Sequence, residues 1–142
     1  MVAIPYENLD IHLGRRLTLD LDTIYHKIVG AGRGGWCYEM NGLFAWALRE
    51  LGFNVTLLGS TVGSVAKGGI TGDLDHLTLL VQLDQPWLAD VGFGNALLEP
   101  LPLRPGQAQQ GWMTFQIEQE GEKWFFHNHP YGGCLLYTSR CV

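Results

Sequence analysis

At 142 residues and a net charge of −5, the chain has room for one domain or two small lobes on a shared core. That charge gives no electrostatic reason to expect nucleic acid or an anionic membrane as partner. Its 46% hydrophobic and 16% charged residues exclude disorder, and with no bilayer-length apolar run and no signal-peptide pattern a soluble, cytoplasmic protein is expected.

Met1 to Arg16 mixes Pro5, Asn8, Asp10 and Gly14 with scattered apolar residues and reads as a loop holding one helical turn. Asp20 can cap a helix whose Leu21, Ile24, Tyr25, Ile28 and Val29 recur with helical spacing, and Gly30 and Gly32 stop it. A second helix starts near Cys37, with Met40, Leu43, Phe44, Ala47, Leu48 and Leu51 as its buried stripe and Gly52 just past its end. The period then changes. Phe53, Val55 and Leu57 alternate with Asn54 and Thr56 as in a half-buried strand. Gly63 to Asp75 is glycine-rich and predicts an exposed loop. His76 to Leu83 is a β-rich run, Asp84-Gln85-Pro86 a turn, and Trp87 to Val91 the return strand, ended by Gly92-Phe93-Gly94. After a Pro- and Leu-rich loop at Glu99 to Gly106, Trp112 to Gln119 and Lys123 to Asn128 flank the hairpin turn Glu120-Gly121-Glu122. Helices first and antiparallel strands second predict an α+β chain with a sheet or partial barrel.

The three cysteines include no CxxC pair, so neither a disulfide framework nor a structural zinc site is expected. His127-Asn128-His129 has no third ligand nearby and reads as a strand end, so no metal is expected. Among its degenerate codons, Cys134 to Val142 back-translates to a transposon end used in sequencing-library preparation, joined to its own reverse complement and followed by a stop. Residues 134–142 are therefore expected to be a non-native tail, which leaves Cys37 as the one genuine cysteine.

Cys37 follows the glycine-loosened turn Arg33-Gly34-Gly35 and opens the second helix. At a helix N-terminus its sulfur would sit near unpaired N–H groups and the positive end of the dipole, a setting that favours a nucleophilic thiolate. Free cysteines are also among the most buried of side chains, so a core role is the equal alternative on this stretch alone. A cysteine nucleophile needs a base, and the base an orienting group. His76 opens one arm of a hairpin and Asp90 lies near the end of the other, an even separation that lets both face one side. Asp90 lies between Ala89 and Val91, where a carboxylate is costly unless it pairs with a partner such as an imidazole.

Together these blocks resemble the arylamine N-acetyltransferases. Arg33-Gly34-Gly35-Trp36-Cys37-Tyr38-Glu39 with Asn41-Gly42-Leu43 is similar to their active-site signature, and Ile4-Pro5-Tyr6-Glu7-Asn8-Leu9-Asp10 to their Ile-Pro-Phe-Glu-Asn-Leu segment. Asp75-His76-Leu77 resembles their histidine strand, with Asp75 where the family usually has Thr or a small residue. Trp87-Leu88-Ala89-Asp90-Val91-Gly92-Phe93-Gly94 resembles their Val-Asp-Val-Gly-Phe-Gly segment. The resemblance implies a remnant helical bundle packed on an antiparallel β-barrel or sheet, with a cysteine-protease-like catalytic core. Residues 1–52 would be the partial bundle with the nucleophile helix and residues 53–133 the partial barrel, without the family's first helices and C-terminal lid.

It further implies that Cys37 takes an acetyl group from acetyl-CoA as a thioester, His76 accepts the thiol proton and Asp90 orients the imidazolium. A small-molecule arylamine or arylhydrazine then receives the acetyl group in a ping-pong reaction. Phe93 would line the acceptor pocket or simply pack in the core, Thr71 and Gly72 would lie near the acetyl-CoA entry, and Arg33 with Glu39 would form a structural ion pair. The rival readings are an amide synthase that closes macrolactams with the same three residues, a transglutaminase-like or papain-like hydrolase, and a non-enzymatic module with Cys37 as core. The 142-residue chain by itself is expected to be weak, unstable or inactive.

Overall fold

The computed structural model describes residues 3–63 and 74–129, together with a strand at 134–141. The fold is α+β: a small helical layer packs on one antiparallel sheet. Helix α1 (Leu9–His12) is a single turn in the N-terminal strap. Helix α2 (Leu21–Tyr25) starts at Asp20, whose carboxylate accepts from the Thr23 N–H at 3.0 Å and its hydroxyl at 2.7 Å. The expected helix runs on to Gly30, but its last turn, His26–Gly30, widens to a π turn in which the Ala31 N–H reaches the His26 carbonyl. Gly32, at φ +61°, then reverses the chain.

Helix α3 (Cys37–Glu50) is buried on two sides. Met40 and Leu43 meet Ile24 and Ile28 of the helical layer, while Ala45, Phe44 and Leu48 meet Val55, Leu79 and Ala89 of the sheet. A helix sandwiched this way buries more than one stripe, which is why Ala45, outside the expected set, is 1% exposed. Leu51, expected inside, lies past the last turn and is 75% exposed.

The sheet order is β4-β3-β2-β1-β8-β7-β6-β5, formed by β1 (Asn54–Gly63), β2 (His76–Gln82), β3 (Pro86–Ala89), β4 (Leu101–Pro102), β5 (Gly106–Gln110), β6 (Met113–Glu120), β7 (Lys123–His127) and β8 (Cys134–Cys141). Leu88 and Leu101 from one end share a core with Phe115, Ile117 and Phe126 from the other, so the sheet curls on itself. Its terminal strands β4 and β5 do not pair, and the result is an open sheet rather than a closed barrel.

Strand β1 runs well past Leu57 because β2 and β8 both pair with it, although Gly59-Ser60-Thr61 shows no apolar alternation. Strand β5, Gly-Gln-Ala-Gln-Gln, carries no strand signal and is held by its register with β6. Residues 134–141, expected as a tail, pair with β1 and β7. A main-chain ladder is indifferent to the ancestry of the sequence that fills it, so this pairing does not bear on the tail's origin.

Candidate active site

The turn before Cys37 is built by the N-terminal strap. The Glu7 N–H donates to the Gly35 carbonyl at 3.0 Å and the Gly35 N–H to the Pro5 carbonyl at 3.3 Å. A Cβ on Gly34 would lie 1.9 Å from the Pro5 oxygen, so only glycine passes under the strap. Arg33 donates to Glu7 at 2.6 Å and lies 3.1 Å from Asp10. The expected Arg33–Glu39 pair is not formed. Glu39, in the first turn of α3, folds back to accept the Trp36 N–H at 3.2 Å, and there the Lys27 amine meets it at 2.7 Å. The cluster holds Glu7, Asp10, Lys27 and Arg33 in their charged forms. Hydrogen bonds from Arg33 first and Lys27 second pull the Asp10 carboxyl down to about 2.

This turn delivers Cys37 as the first residue of α3, buried at 5% exposure. His76, at the start of β2, and Asp90, just past the end of β3, lie on the strand pair beside it. His76 Nε2 is 2.6 Å from Asp90 Oδ2, with both side chains almost fully buried. Nε2 is thereby committed to the carboxylate, and Nδ1 is the ring nitrogen left for the thiol. Burial by itself disfavours the His76 imidazolium. The hydrogen bonds and charges of Asp90 and Cys37 outweigh it and raise the imidazole to about 9. Cys37 Sγ also lies 3.8 Å from the Asp75 carbonyl. The hairpin register continued past Ala89 puts Asp90 beside Thr78, two residues along from His76 and on the same face.

The expected return strand to Val91 stops at Ala89 because side chains take over its hydrogen bonds. Asp90 Oδ1 accepts from the Gly92 N–H and from Asn41 Nδ2, both at 2.9 Å. Asn41 Nδ2 also donates to the Leu77 carbonyl at 2.6 Å, and its Oδ1 accepts the Val91 N–H at 2.9 Å. Asn41 thus ties α3 to both arms of the hairpin from a position of 0% exposure. Asn41 stands outside the expected site residues. The signal was an amide on a buried helical face, one turn after Cys37. Gly92 closes the assembly: a Cβ there would be 2.7 Å from both Cys37 Cα and Asn41 Nδ2.

Phe93 is half-buried and meets the His76 ring edge-on, with centroids 5.2 Å apart. Thr71 and Gly72 lie outside the described residues. His127 lies 3.5 Å from Glu118, His129 packs edge-on against Trp112, and no cluster able to hold a metal ion is present among the described residues. A buried thiol, an imidazole and a carboxylate in series are the parts of an acyl-transfer relay.

Residues 1–132 match the family model described as N-acetyltransferase. Over 127 residues the chain is 45% identical to the pineal gland isozyme of arylamine N-acetyltransferase from Gallus gallus, covering 87% of this chain and 44% of that protein. The solved arylamine N-acetyltransferase from Salmonella typhimurium superposes with a TM-score of 0.90 at 36% identity, over 99% of this chain and 53% of that one. The Mycobacterium marinum enzyme in complex with CoA superposes at 0.87 with 29% identity, over 98% and 55%. The chain spans about half the length of the curated relatives it matches. With its curled sheet, its helix-borne Cys37 and a family match over nearly its whole length, the chain belongs to the arylamine N-acetyltransferase family.

Proposed function

We propose that the protein to which this chain belongs transfers the acetyl group of acetyl-CoA to arylamines or arylhydrazines through a thioester on Cys37. The observation that carries the reading is His76, held by Asp90 through one ring nitrogen while the other is left for the Cys37 thiol. His76 takes the thiol proton, and the resulting thiolate attacks the acetyl carbonyl. The C–S bond to CoA breaks, and CoA leaves as the thiol with the proton His76 holds. The amine then attacks the acetyl-enzyme, gives a proton to His76, and releases Cys37 as the thioester bond breaks. Asp90 keeps the imidazolium oriented through both half-reactions.

The relative solved with CoA supports acetyl-CoA as donor. Phe93, beside His76, would contact the flat amine, and Thr71 and Gly72 would flank the acetyl-CoA entry. The small soluble substrates fit a cytoplasmic location, and among the described residues no helix is long and apolar enough to cross a membrane. The family match ends at residue 132, which supports reading Cys134 to Val142 as foreign; sequencing the parent DNA across this junction tests that.

The test is acetyl-CoA turnover with a panel of arylamines, using this chain and the full-length product of its gene, each with and without Cys37→Ser. We expect amine-dependent turnover by the longer protein and an acetyl group on the Cys37 peptide when amine is withheld. Wild-type activity in the serine variant overturns the mechanism. Turnover that ignores the amine assigns the site to a hydrolase instead.

A further inference from the structure

Asp75 immediately precedes His76, and it is tied into the site from two directions. The β1–β2 ladder ends at the pair Ser60 and His76. Beyond it, the Asp75 carboxylate takes the place of a ladder bond and accepts the Val62 N–H at 2.7 Å. The main chain of the same segment faces α3. The Leu74 carbonyl accepts the Tyr38 hydroxyl at 2.7 Å, and the Asp75 carbonyl lies 3.8 Å from Cys37 Sγ. One side chain therefore anchors to β1 the very carbonyl that meets the thiol.

A thiol has one proton, and here two acceptors are available to it, the Asp75 carbonyl and the free nitrogen of His76. The two pull in opposite directions. Transfer to His76 yields the thiolate, whereas the partial negative charge of a carbonyl oxygen favours S–H and repels S⁻. We propose that Asp75 is a positioning residue that sets the thiol–thiolate balance of Cys37, by clamping its own carbonyl against the sulfur through the Val62 hydrogen bond. This rests on the activated-thiol reading above and adds a carbonyl that opposes the thiolate His76 favours. The ionisable groups facing the sulfur are His76 from β2 with Asp90 behind it, Tyr6 from the strap and Tyr38 from α3, while the Asp75 carboxylate is turned to β1.

Iodoacetamide alkylation of the Cys37 peptide, followed by mass spectrometry across a pH series, measures the balance without any acetyl transfer. Asp75→Ala removes the clamp, and Asp75→Leu removes it with the side-chain volume kept, in case the alanine variant loses its fold. Asp75→Asn removes the charge but keeps an oxygen for the Val62 N–H. We expect the alanine and leucine variants to lower the alkylation midpoint by about half a pH unit or more, with the asparagine variant close to wild type. A midpoint that both deletions leave in place overturns the assignment, since a merely structural residue would change the melting temperature alone. An asparagine variant that shifts as far as the deletions overturns it too, because charge and not the clamp would then be responsible. A wild-type midpoint at the ordinary thiol value of about 8.5 overturns the activated-thiol reading itself, a separate failure.

Discussion

Replacing Asn41 by alanine tests the buried link between α3 and the hairpin. The change removes three hydrogen bonds at once: to the Leu77 carbonyl, to Asp90 Oδ1 and from the Val91 N–H. Asp90 keeps the Gly92 N–H and His76, but the Leu77 carbonyl and the Val91 N–H lose these partners in a place where Asn41 had 0% exposure. Each orphaned buried group costs about 1–3 kcal/mol, so with partial water entry the variant should lose about 3–5 kcal/mol. That is a large part of the roughly 5–15 kcal/mol of a typical domain. Asn41→Asp sharpens the test, because it sets a second carboxylate where Nδ2 now lies 2.9 Å from Asp90 Oδ1. Repulsion and burial raise the pKa of the new carboxyl above its unfolded value, so the variant is weakest near neutral pH. It recovers toward wild type as pH falls and the added proton donates to Asp90. Urea unfolding followed by circular dichroism at about pH 7 and about pH 5 measures both effects. An alanine variant within about 0.5 kcal/mol of wild type would refute the linking role. So would an aspartate variant that behaves like alanine at both pH values.

Gly92→Ala should cost about 3 kcal/mol and suppress Cys37 alkylation, since its Cβ would meet Cys37 main-chain atoms that cannot move aside; unchanged urea stability would contradict the close approach. The His76 pair stabilises the fold fully below the unfolded imidazole value of about 6.5, and that contribution is lost as pH rises through about 9. The melting temperature of wild type should therefore drop over this window and that of His76→Gln should not. Asp10 is depressed, so its contribution is present above about 3.8 and is lost as pH falls through about 2. Arg33→Ala should lower stability at neutral pH, with the deficit closing across that acidic window in acid-unfolding curves.

Local patterning accounts for the elements whose signals are local. The apolar spacing after Asp20 and after Cys37 marks both helices, and the three-residue turn at Leu83-Asp84-Gln85 and the two-residue turn at Gly121-Glu122 are turn chemistry read off neighbouring residues. Where burial arises on more than one side, patterning misleads. Ala45 is inside because helices and sheet both press on α3, and Leu51 is outside because the helix has already ended. Strands β4 and β5 carry no pattern of their own. Arg33 and Glu39 both sit beside the turn in sequence, yet their partners come from the strap and from the π turn.

The amino-acid sequence alone determined the α+β order, the helix that opens on Cys37, the parity that puts His76 and Asp90 on one face, and the blocks that carry the family resemblance. These depend on residue types at short, fixed spacings. Only the tertiary structure decided that Asn41 joins α3 to the hairpin, that Gly92 must lack a side chain, and that Asp75 spans β1 and the Cys37 sulfur. Each of these is a contact between elements far apart in the chain, set by how a buried polar group finds a partner once the core has closed.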